Sequence, residues 1–125
     1  MTGNDIESNF RKKIIEDVRP WGKFRRYPHE SAASIKIITI NPDKALSLQY
    51  HHHRSELWVV LDKGLEITVA DKVWRPEAGE EIFIPQRAPH RLKCIGTQPA
   101  RVMEIWIGDS DEEDIVRLKD DYGRA

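Results

Sequence analysis

A short stretch in the middle of the chain concentrates the side chains that could do chemistry. It holds three consecutive histidines between a glutamine and a glutamate, in the order Gln49-Tyr50-His51-His52-His53-Arg54-Ser55-Glu56. Because alternate side chains of a strand share a face, Gln49, His51 and His53 are predicted to project together. Glu56 opens an apolar run, where a carboxylate is costly unless it is paired or bound to a metal. This segment therefore predicts a metal site.

A second segment, from Gly79 to His90, supplies another histidine behind a predicted strand and a proline turn. Together, Gln49, His51, Glu56 and His90 would offer one amide oxygen, one carboxylate and two imidazole nitrogens. Such a mixed set suits Zn²⁺, and also Mn²⁺, Fe²⁺, Ni²⁺ or Co²⁺. The predicted cofactor is therefore a divalent metal, with zinc as the first choice.

Two alternative roles are predicted for each of the remaining polar residues of these segments. His53 is predicted either as a fifth ligand or as a general base, since an unperturbed imidazole titrates at about pH 6.5. Arg54, Arg87 and Arg91 flank the predicted ligands, and the planar fork of arginine suits phosphate oxygens. They are predicted to bind an anionic substrate, with Arg54 also assigned to catalysis; ordinary solvated surface is the alternative for each.

The elements that must position these side chains are short strands. Eight apolar, β-rich runs are separated by turn residues such as Asn41-Pro42-Asp43 and Asp62-Lys63-Gly64. Many short strands with no helix between them predict an all-β antiparallel sandwich or jelly-roll barrel. The predicted runs are 24–27, 34–40, 45–50, 57–61, 65–70, 81–84, 90–95 and 101–107.

The N-terminal segment has a different periodicity. From Asn4 to Val18 apolar residues recur at every fourth position, which predicts one amphipathic helix ending before Pro20, with a capping box formed by Asn4 and Glu7. The chain is thus predicted to divide into a helix over 1–18 and a barrel domain over 19–125. Residues 109–114 are predicted as an acidic loop, and residues 115–118 as either a strand or a helical turn.

Composition excludes several classes of partner. The 125 residues carry a net charge of −1, which gives no global field for nucleic acid or an anionic membrane. No apolar stretch is long enough to span a bilayer, and one cysteine, Cys94, excludes an internal disulfide. The expected protein is cytoplasmic, and the apolar stripe of its helix favours a homodimer.

The two histidine segments resemble the two sequence motifs of the cupin superfamily. In the first motif, Gln49-x-His51 stands for His-x-His, and Glu56 follows after four residues. In the second, Gly79, Pro85 and His90 match at full spacing, whereas Arg87 and Cys94 replace a glycine and an asparagine. The resemblance implies a small double-stranded β-helix barrel with its metal ligands on these two motifs.

A longer likeness is to the type II phosphomannose isomerase cupin. It is carried by Arg19-Pro20-Trp21-Gly22-Lys23, by residues 46–54 with Glu56 and Trp58, by Ile84-Pro85 with residues 90–92, and by residues 113–117 with Asp120, Tyr122, Gly123 and Arg124. The resemblance adds Arg117 to the expected substrate-binding residues and implies no guanylyl transfer. Leu57, Phe83 and Trp106 depart from the family pattern, where histidine, tyrosine and glutamine are usual.

Three functional hypotheses follow. The resemblance implies a metal-dependent isomerase that interconverts mannose 6-phosphate and fructose 6-phosphate, with His53 and Arg54 as catalytic residues. The departures at Leu57 and Trp106 favour a non-catalytic cupin that binds a sugar or a nucleotide-sugar. An iron-dependent cupin dioxygenase would use the same ligands without needing the arginines.

Overall fold

A computed structural model describes residues 3–30, 32–108 and 113–121. Over these residues the chain forms one helix, α1, and eleven strands, β1 to β11. In chain order their bounds are Gly3–Lys12, Ile15–Arg19, Gly22–Arg26, Ala32–Ile40, Leu48–Tyr50, Arg54–Val60, Leu65–Val69, Lys72–Trp74, Glu81–Ile84, His90–Cys94, Ala100–Gly108 and Val116–Lys119. None of the described helices is long and apolar enough to cross a membrane.

Two antiparallel sheets form the barrel. One has the strand order β3-β10-β5-β8 and the other the order β11-β4-β9-β6-β7, while β1 and β2 pair only with each other. The core between the sheets includes Trp58, Val60, Ile67, Leu92 and Val102, each at most 1 % exposed. The prediction of an all-β jelly-roll barrel with an N-terminal helix is confirmed.

Strand β5 is buried on both of its faces. Glu56, Trp58 and Val60 alternate with Leu57 and Val59, and the second pair joins another apolar cluster with Phe10 of α1. Leu57 therefore packs on the outer side of the sheet and not at the mouth of the barrel. The same alternation that places Leu57 under the helix directs Glu56 into the interior.

The N-terminal helix is shorter than predicted. It ends at Lys12, and Ile15–Arg19 forms strand β1, which pairs with β2 through a two-residue turn at Pro20-Trp21. The prediction of helix to Val18 is therefore wrong. The β-branched residues Ile15 and Val18 favour a strand, and the hairpin supplies the hydrogen-bonding partner that the four-residue spacing did not reveal. The Asn4 side chain lies outside the described residues.

The eight predicted strands are present with shifted ends. Strand β4 begins three residues later than predicted and covers only Leu48–Tyr50, although Ala45 still makes one bridge to Lys93, and β5 begins three residues earlier than predicted, at Arg54. Strands β1 and β7 were not predicted. Residues 116–119 form a strand, β11, which pairs with β4 and decides between the two alternatives for this segment. Of the predicted acidic loop, residues 109–112 lie outside the described residues.

Candidate metal centre

Three of the four predicted ligands meet inside the barrel. His51 follows β4, Glu56 lies on β5 and His90 begins β9, and all three side chains are at most 2 % exposed. The Nε2 atom of His51 lies 3.1 Å from Glu56 Oε2 and 3.2 Å from Nε2 of His90, which is 3.8 Å from Glu56 Oε1. This His-His-Glu group could hold a metal ion.

The hydrogen bonds of the two histidines determine which nitrogen faces the group. Nδ1 of His51 donates to the backbone oxygen of Asp114, and Nδ1 of His90 donates to that of Ala88 at 2.8 Å. A carbonyl oxygen only accepts, so each neutral imidazole presents an Nε2 lone pair to the centre. Two lone pairs and a carboxylate thus converge, an arrangement that a cation satisfies, whether it is a metal ion or the guanidinium of Arg54, which donates to His51 Nε2 at 3.1 Å.

The spacing of these atoms fits a first-row divalent metal. With metal–ligand bonds of about 2.1 Å, neighbouring ligand atoms are separated by about 3.0 Å in an octahedron and about 3.4 Å in a tetrahedron. The distances of His51 Nε2 from Glu56 Oε2 and from His90 Nε2, 3.1 and 3.2 Å, fall in this range, and that from His90 Nε2 to the other Glu56 oxygen, 3.8 Å, is longer. The residues present therefore fit the group that their chemistry implies.

Arg54 is a buried part of the same centre and not a surface arginine. It is 5 % exposed, and its Nε and Nη2 atoms donate to Glu56 Oε2 at 3.0 Å and to His51 Nε2 at 3.1 Å. Its guanidinium stacks on Trp106, with Cζ 3.4 Å from the ring centroid. A fixed positive charge thus lies against the carboxylate, as a buried charge requires.

Glu104, which the sequence reasoning missed, lies beside Glu56. The indole N–H of Trp58 donates to Glu56 Oε1 at 3.0 Å and to Glu104 Oε2 at 3.1 Å, and that of Trp106 donates to Glu104 Oε1 at 2.6 Å. Glu104 interrupts the apolar run of β10 as Glu56 interrupts that of β5. The signal used to select Glu56 would therefore have found it.

Burial and neighbouring charges separate the pKa values of this cluster. Burial, together with the negative charge of Glu56, raises the pKa of Glu104 to about 7. Burial acts in the same direction on Glu56, but its contacts with His51 and His90 hold its pKa well below the ordinary range. Burial lowers the pKa of His90, which keeps its imidazole neutral.

A cavity of about 290 Å³ adjoins the centre. Its wall carries three cationic side chains and one carboxyl group, and the full lining is Lys36, Ile38, Leu46, Gln49, Arg54, Glu104, Ile115 and Arg117. Lys36, another residue missed from the sequence, lies 3.7 Å from Glu104 and 4.6 Å from the ring centroid of Trp106. Three predicted residues, Gln49, Arg54 and Arg117, line this cavity, and Gln49 Oε1 accepts a hydrogen bond from Ser47 at 2.6 Å.

Other predicted residues lie elsewhere. His53 is exposed because β4 ends at Tyr50, so strand alternation does not continue through the three histidines. Arg87 is also exposed, in a turn where its φ is 67°. Arg91 is half-buried and bonded to the backbone oxygen of Leu46 and to Asp121. Arg124 lies outside the described residues.

The jelly-roll barrel and its interior His-His-Glu group define a cupin. The chain belongs to the family described as mannose-6-phosphate isomerase C-terminal, whose pattern it matches over residues 6–120. The dTDP sugar isomerase of Desulfovibrio desulfuricans G20 has a similar fold, with a TM-score of 0.65 at 13 % identity over 87 % of this chain and 82 % of that one.

Two sequence relatives are much longer proteins. The xanthan biosynthesis protein XanB of Xanthomonas campestris pv. campestris is 37 % identical over 95 % of this chain, and mannose-1-phosphate guanylyltransferase 2 of Escherichia coli O157:H7 is 40 % identical over 86 % of it. The matched parts are 25 % and 22 % of these relatives, so the chain spans about a quarter of their length.

These relatives correct the leading functional prediction. In them this cupin is one part of proteins named for guanylyl transfer or xanthan biosynthesis, and they do not support a stand-alone mannose 6-phosphate isomerase. The alternative, a cupin that binds a sugar or a nucleotide-sugar, agrees better with them. The catalytic roles predicted for His53 and Arg54 were tied to the isomerisation.

Proposed function

We propose that this chain is a metal-binding cupin that holds the phosphorylated end of a sugar phosphate or a nucleotide-sugar. The observation that carries the proposal is the position of Arg54. This side chain contacts two of the candidate metal ligands and also lines the adjoining cavity. A metal and an anionic ligand would therefore occupy neighbouring places in one barrel.

His51, Glu56 and His90 are the proposed metal ligands, and Gln49 is the proposed fourth. Zinc is the first choice because two imidazole nitrogens and one carboxylate are a common zinc set. A metal held there would supply a Lewis-acidic centre for an oxygen atom of the ligand. The identity of the metal is tested by metal analysis of protein purified without added ions.

The charges of the cavity favour an anion. Lys36, Arg54 and Arg117 outnumber the one carboxyl group of the lining, Glu104, whose raised pKa leaves it partly protonated near neutrality. Arginine forks suit phosphate oxygens, and the amide of Gln49 and the carboxyl of Glu104 suit sugar hydroxyls. The iron-dependent dioxygenase alternative would leave these cavity cations without a role.

The size of the cavity limits how much of a ligand it can enclose. Pockets that bury a drug-sized molecule occupy about 300–1,000 Å³, and this one is at the lower end. The proposed occupant is therefore the sugar and its phosphate, with any nucleoside outside the barrel. The names of the relatives make mannose 1-phosphate and GDP-mannose suitable probes.

The binding experiment compares mannose 1-phosphate and GDP-mannose with mannose and with inorganic phosphate by calorimetry. We expect the two phosphorylated sugars to bind more tightly than either part alone. Replacement of Arg117 with alanine removes a charge-assisted contact and should weaken their binding at least tenfold. The matched control is Arg75→Ala, because the Arg75 side chain is 73 % exposed and the residue follows the end of β7, outside the cavity.

Two results would contradict the proposal. One is equal binding of mannose and mannose 1-phosphate, which would leave the cavity cations without a ligand charge to recognise. The other is an equal loss of affinity in Arg75→Ala and Arg117→Ala, which would point to general electrostatic attraction. Oxygen uptake by the Fe²⁺-loaded protein would instead favour the dioxygenase alternative.

The predicted homodimer also remains a proposal. Strand β3 is at the edge of its sheet, and its outward side chains Ile35 and Ile37 are each 58 % exposed. An exposed apolar edge strand favours pairing with another chain. Light scattering that shows only monomer at micromolar concentration would contradict the dimer.

A further inference from the structure

The three consecutive histidines are held by a residue far from them in the chain. The carboxylate of Asp114 accepts the backbone N–H of His52 at Oδ1 and that of His53 at Oδ2, both at 2.9 Å. The backbone oxygen of the same residue accepts the hydrogen bond from Nδ1 of His51. One half-buried aspartate thus contacts every residue of the run.

These contacts matter because the run has no strand partner of its own. Strand β4 ends at Tyr50, β5 begins at Arg54, and the described backbone between them is a bend. The backbone oxygen of His51 accepts from the N–H of Arg87 at 2.8 Å, which restrains one side of the bend. Asp114 restrains the other side with both of its carboxylate oxygens.

The two candidate histidine ligands therefore depend on different parts of the chain. His90 donates Nδ1–H to Ala88, only two residues away, so its orientation is set by the local turn. His51 donates to a carbonyl 63 residues away, at the start of the segment that leads into β11. The position of that carbonyl group depends on the hydrogen bonds that the carboxylate of the same residue, Asp114, makes with the backbone of the bend.

We propose that Asp114 is a positioning residue for the metal ligand His51. It holds the bend with its side chain and, with its carbonyl oxygen, keeps the proton of His51 on Nδ1 so that Nε2 faces Glu56 and His90. The proposal rests on the metal-binding part of the proposed function and is independent of the sugar ligand. Residues 113–121 then contribute both to the metal centre and, through Ile115 and Arg117, to the wall of the cavity.

The test measures Zn²⁺ affinity by competition with a chromophoric chelator in the whole chain. Groups that orient a metal ligand typically contribute 10- to 100-fold to affinity, and Asp114→Ala should weaken Zn²⁺ binding by about that factor. Asp114→Asn retains one acceptor oxygen and should give an intermediate loss. Glu113→Ala removes the same charge from the neighbouring exposed position and should bind Zn²⁺ like the natural sequence.

A second readout separates positioning from general support of the fold. Nitrogen-15 NMR of the imidazoles should show a hydrogen-bonded Nδ1 proton on His51 in the metal-free natural sequence and a weakened Nδ1 hydrogen bond in both Asp114 variants, while Arg54 still donates to Nε2. His90 should keep its Nδ1 proton in all of them. Because Asp114→Asn differs from aspartate by one atom, it keeps the test decisive if Asp114→Ala fails to fold.

Three outcomes would overturn the assignment of Asp114: unchanged Zn²⁺ affinity in the folded variants, an equal loss in Glu113→Ala, or weakened binding with the His51 Nδ1 hydrogen bond unchanged. If the natural sequence itself binds no Zn²⁺, the metal part of the proposed function fails, which is a different result from any of these three.

Discussion

Two carboxylates of this molecule are held by arginines in opposite surroundings. Glu56 lies inside the barrel between Arg54 and His51, with 1 % of its side chain exposed. Glu81, on β8, lies outside the barrel, where Arg25 of the β1–β2 hairpin donates to both of its oxygens at 2.9 Å. The first pairing joins candidate ligands from different strands, whereas the second attaches the hairpin to the barrel.

Similar contacts have different consequences in these two surroundings. A buried carboxylate has lost its hydration, so removing its charge leaves its cationic partner in a poorly solvated place. The Arg25 side chain is 40 % exposed, and water and salt screen its attraction to Glu81. We therefore expect the stability effect of losing a carboxylate to follow burial more than the number of its hydrogen bonds.

The largest effect is expected from Glu56→Gln. The variant keeps the shape of the side chain but leaves the Arg54 guanidinium without the carboxylate it faces, and breaking a buried pair in this way costs about 3–5 kcal/mol. Urea unfolding in the presence of a chelator measures this change. Added Zn²⁺ should raise the unfolding temperature of the natural sequence and not that of the variant.

Glu66→Gln is the matched control for that experiment. Glu66 lies on β6, and its side chain, 33 % exposed, contacts Arg75 at 3.8 Å. The stability of the Glu66→Gln variant and its response to Zn²⁺ should remain those of the natural sequence. A Glu56 variant that is as stable as this control and still gains stability from Zn²⁺ would remove Glu56 from the metal centre.

A smaller effect is expected from Glu81→Gln. Its side chain is 14 % exposed, and with solvent screening the loss of the ion pair should lower the free energy of unfolding by about 1 kcal/mol. The hydrogen bonds from Arg25 hold the pKa of Glu81 below its ordinary value of 4.5, against the opposing effect of burial. Its stabilisation is therefore present above that value and is lost as the pH falls through the lower folded-state pKa.

Tyr27 limits the stability of the same Arg25–Glu81 contact at alkaline pH. Burial, assisted by its hydrogen bond to Glu81, raises the pKa of Tyr27 from 10.0 to about 12. Its contribution is present below pH 10.0 and is lost as the pH rises towards 12.

Urea curves from pH 3 to 9 should show a constant difference between Glu81→Gln and the natural sequence above about pH 6, shrinking below about pH 4. A difference in stability that does not depend on pH would contradict stabilisation by the Arg25–Glu81 ion pair.

The sequence predicted the candidate metal ligands better than the residues that position them. Glu56 was predicted because a carboxylate in an apolar run needs a partner, and that local argument applies equally to Glu104. His53 was misplaced because strand alternation was extended three residues beyond the end of β4. No local pattern connects Asp114 with the histidines, since the contact depends on how β11 returns beside β4. The fold class was predictable from strand and turn spacing, whereas the helix boundary at Lys12 depended on the pairing of β1 with β2.

The smallest effect should come from Asp62→Asn, although Asp62 accepts three hydrogen bonds from Arg101. Its Oδ2 accepts from Arg101 Nε at 2.7 Å and from the Arg101 backbone at 3.1 Å, and its Oδ1 accepts from Nη2 at 3.2 Å. The pair is solvent-exposed, with 32 % of the Asp62 side chain and 50 % of the Arg101 side chain accessible. An asparagine oxygen can still accept the backbone N–H, and exposed ion pairs contribute little to stability. The urea unfolding curve of Asp62→Asn should therefore overlay that of the natural sequence at pH 7. A loss as large as that of Glu81→Gln would show that the number of hydrogen bonds, and not burial, ranks the three carboxylates.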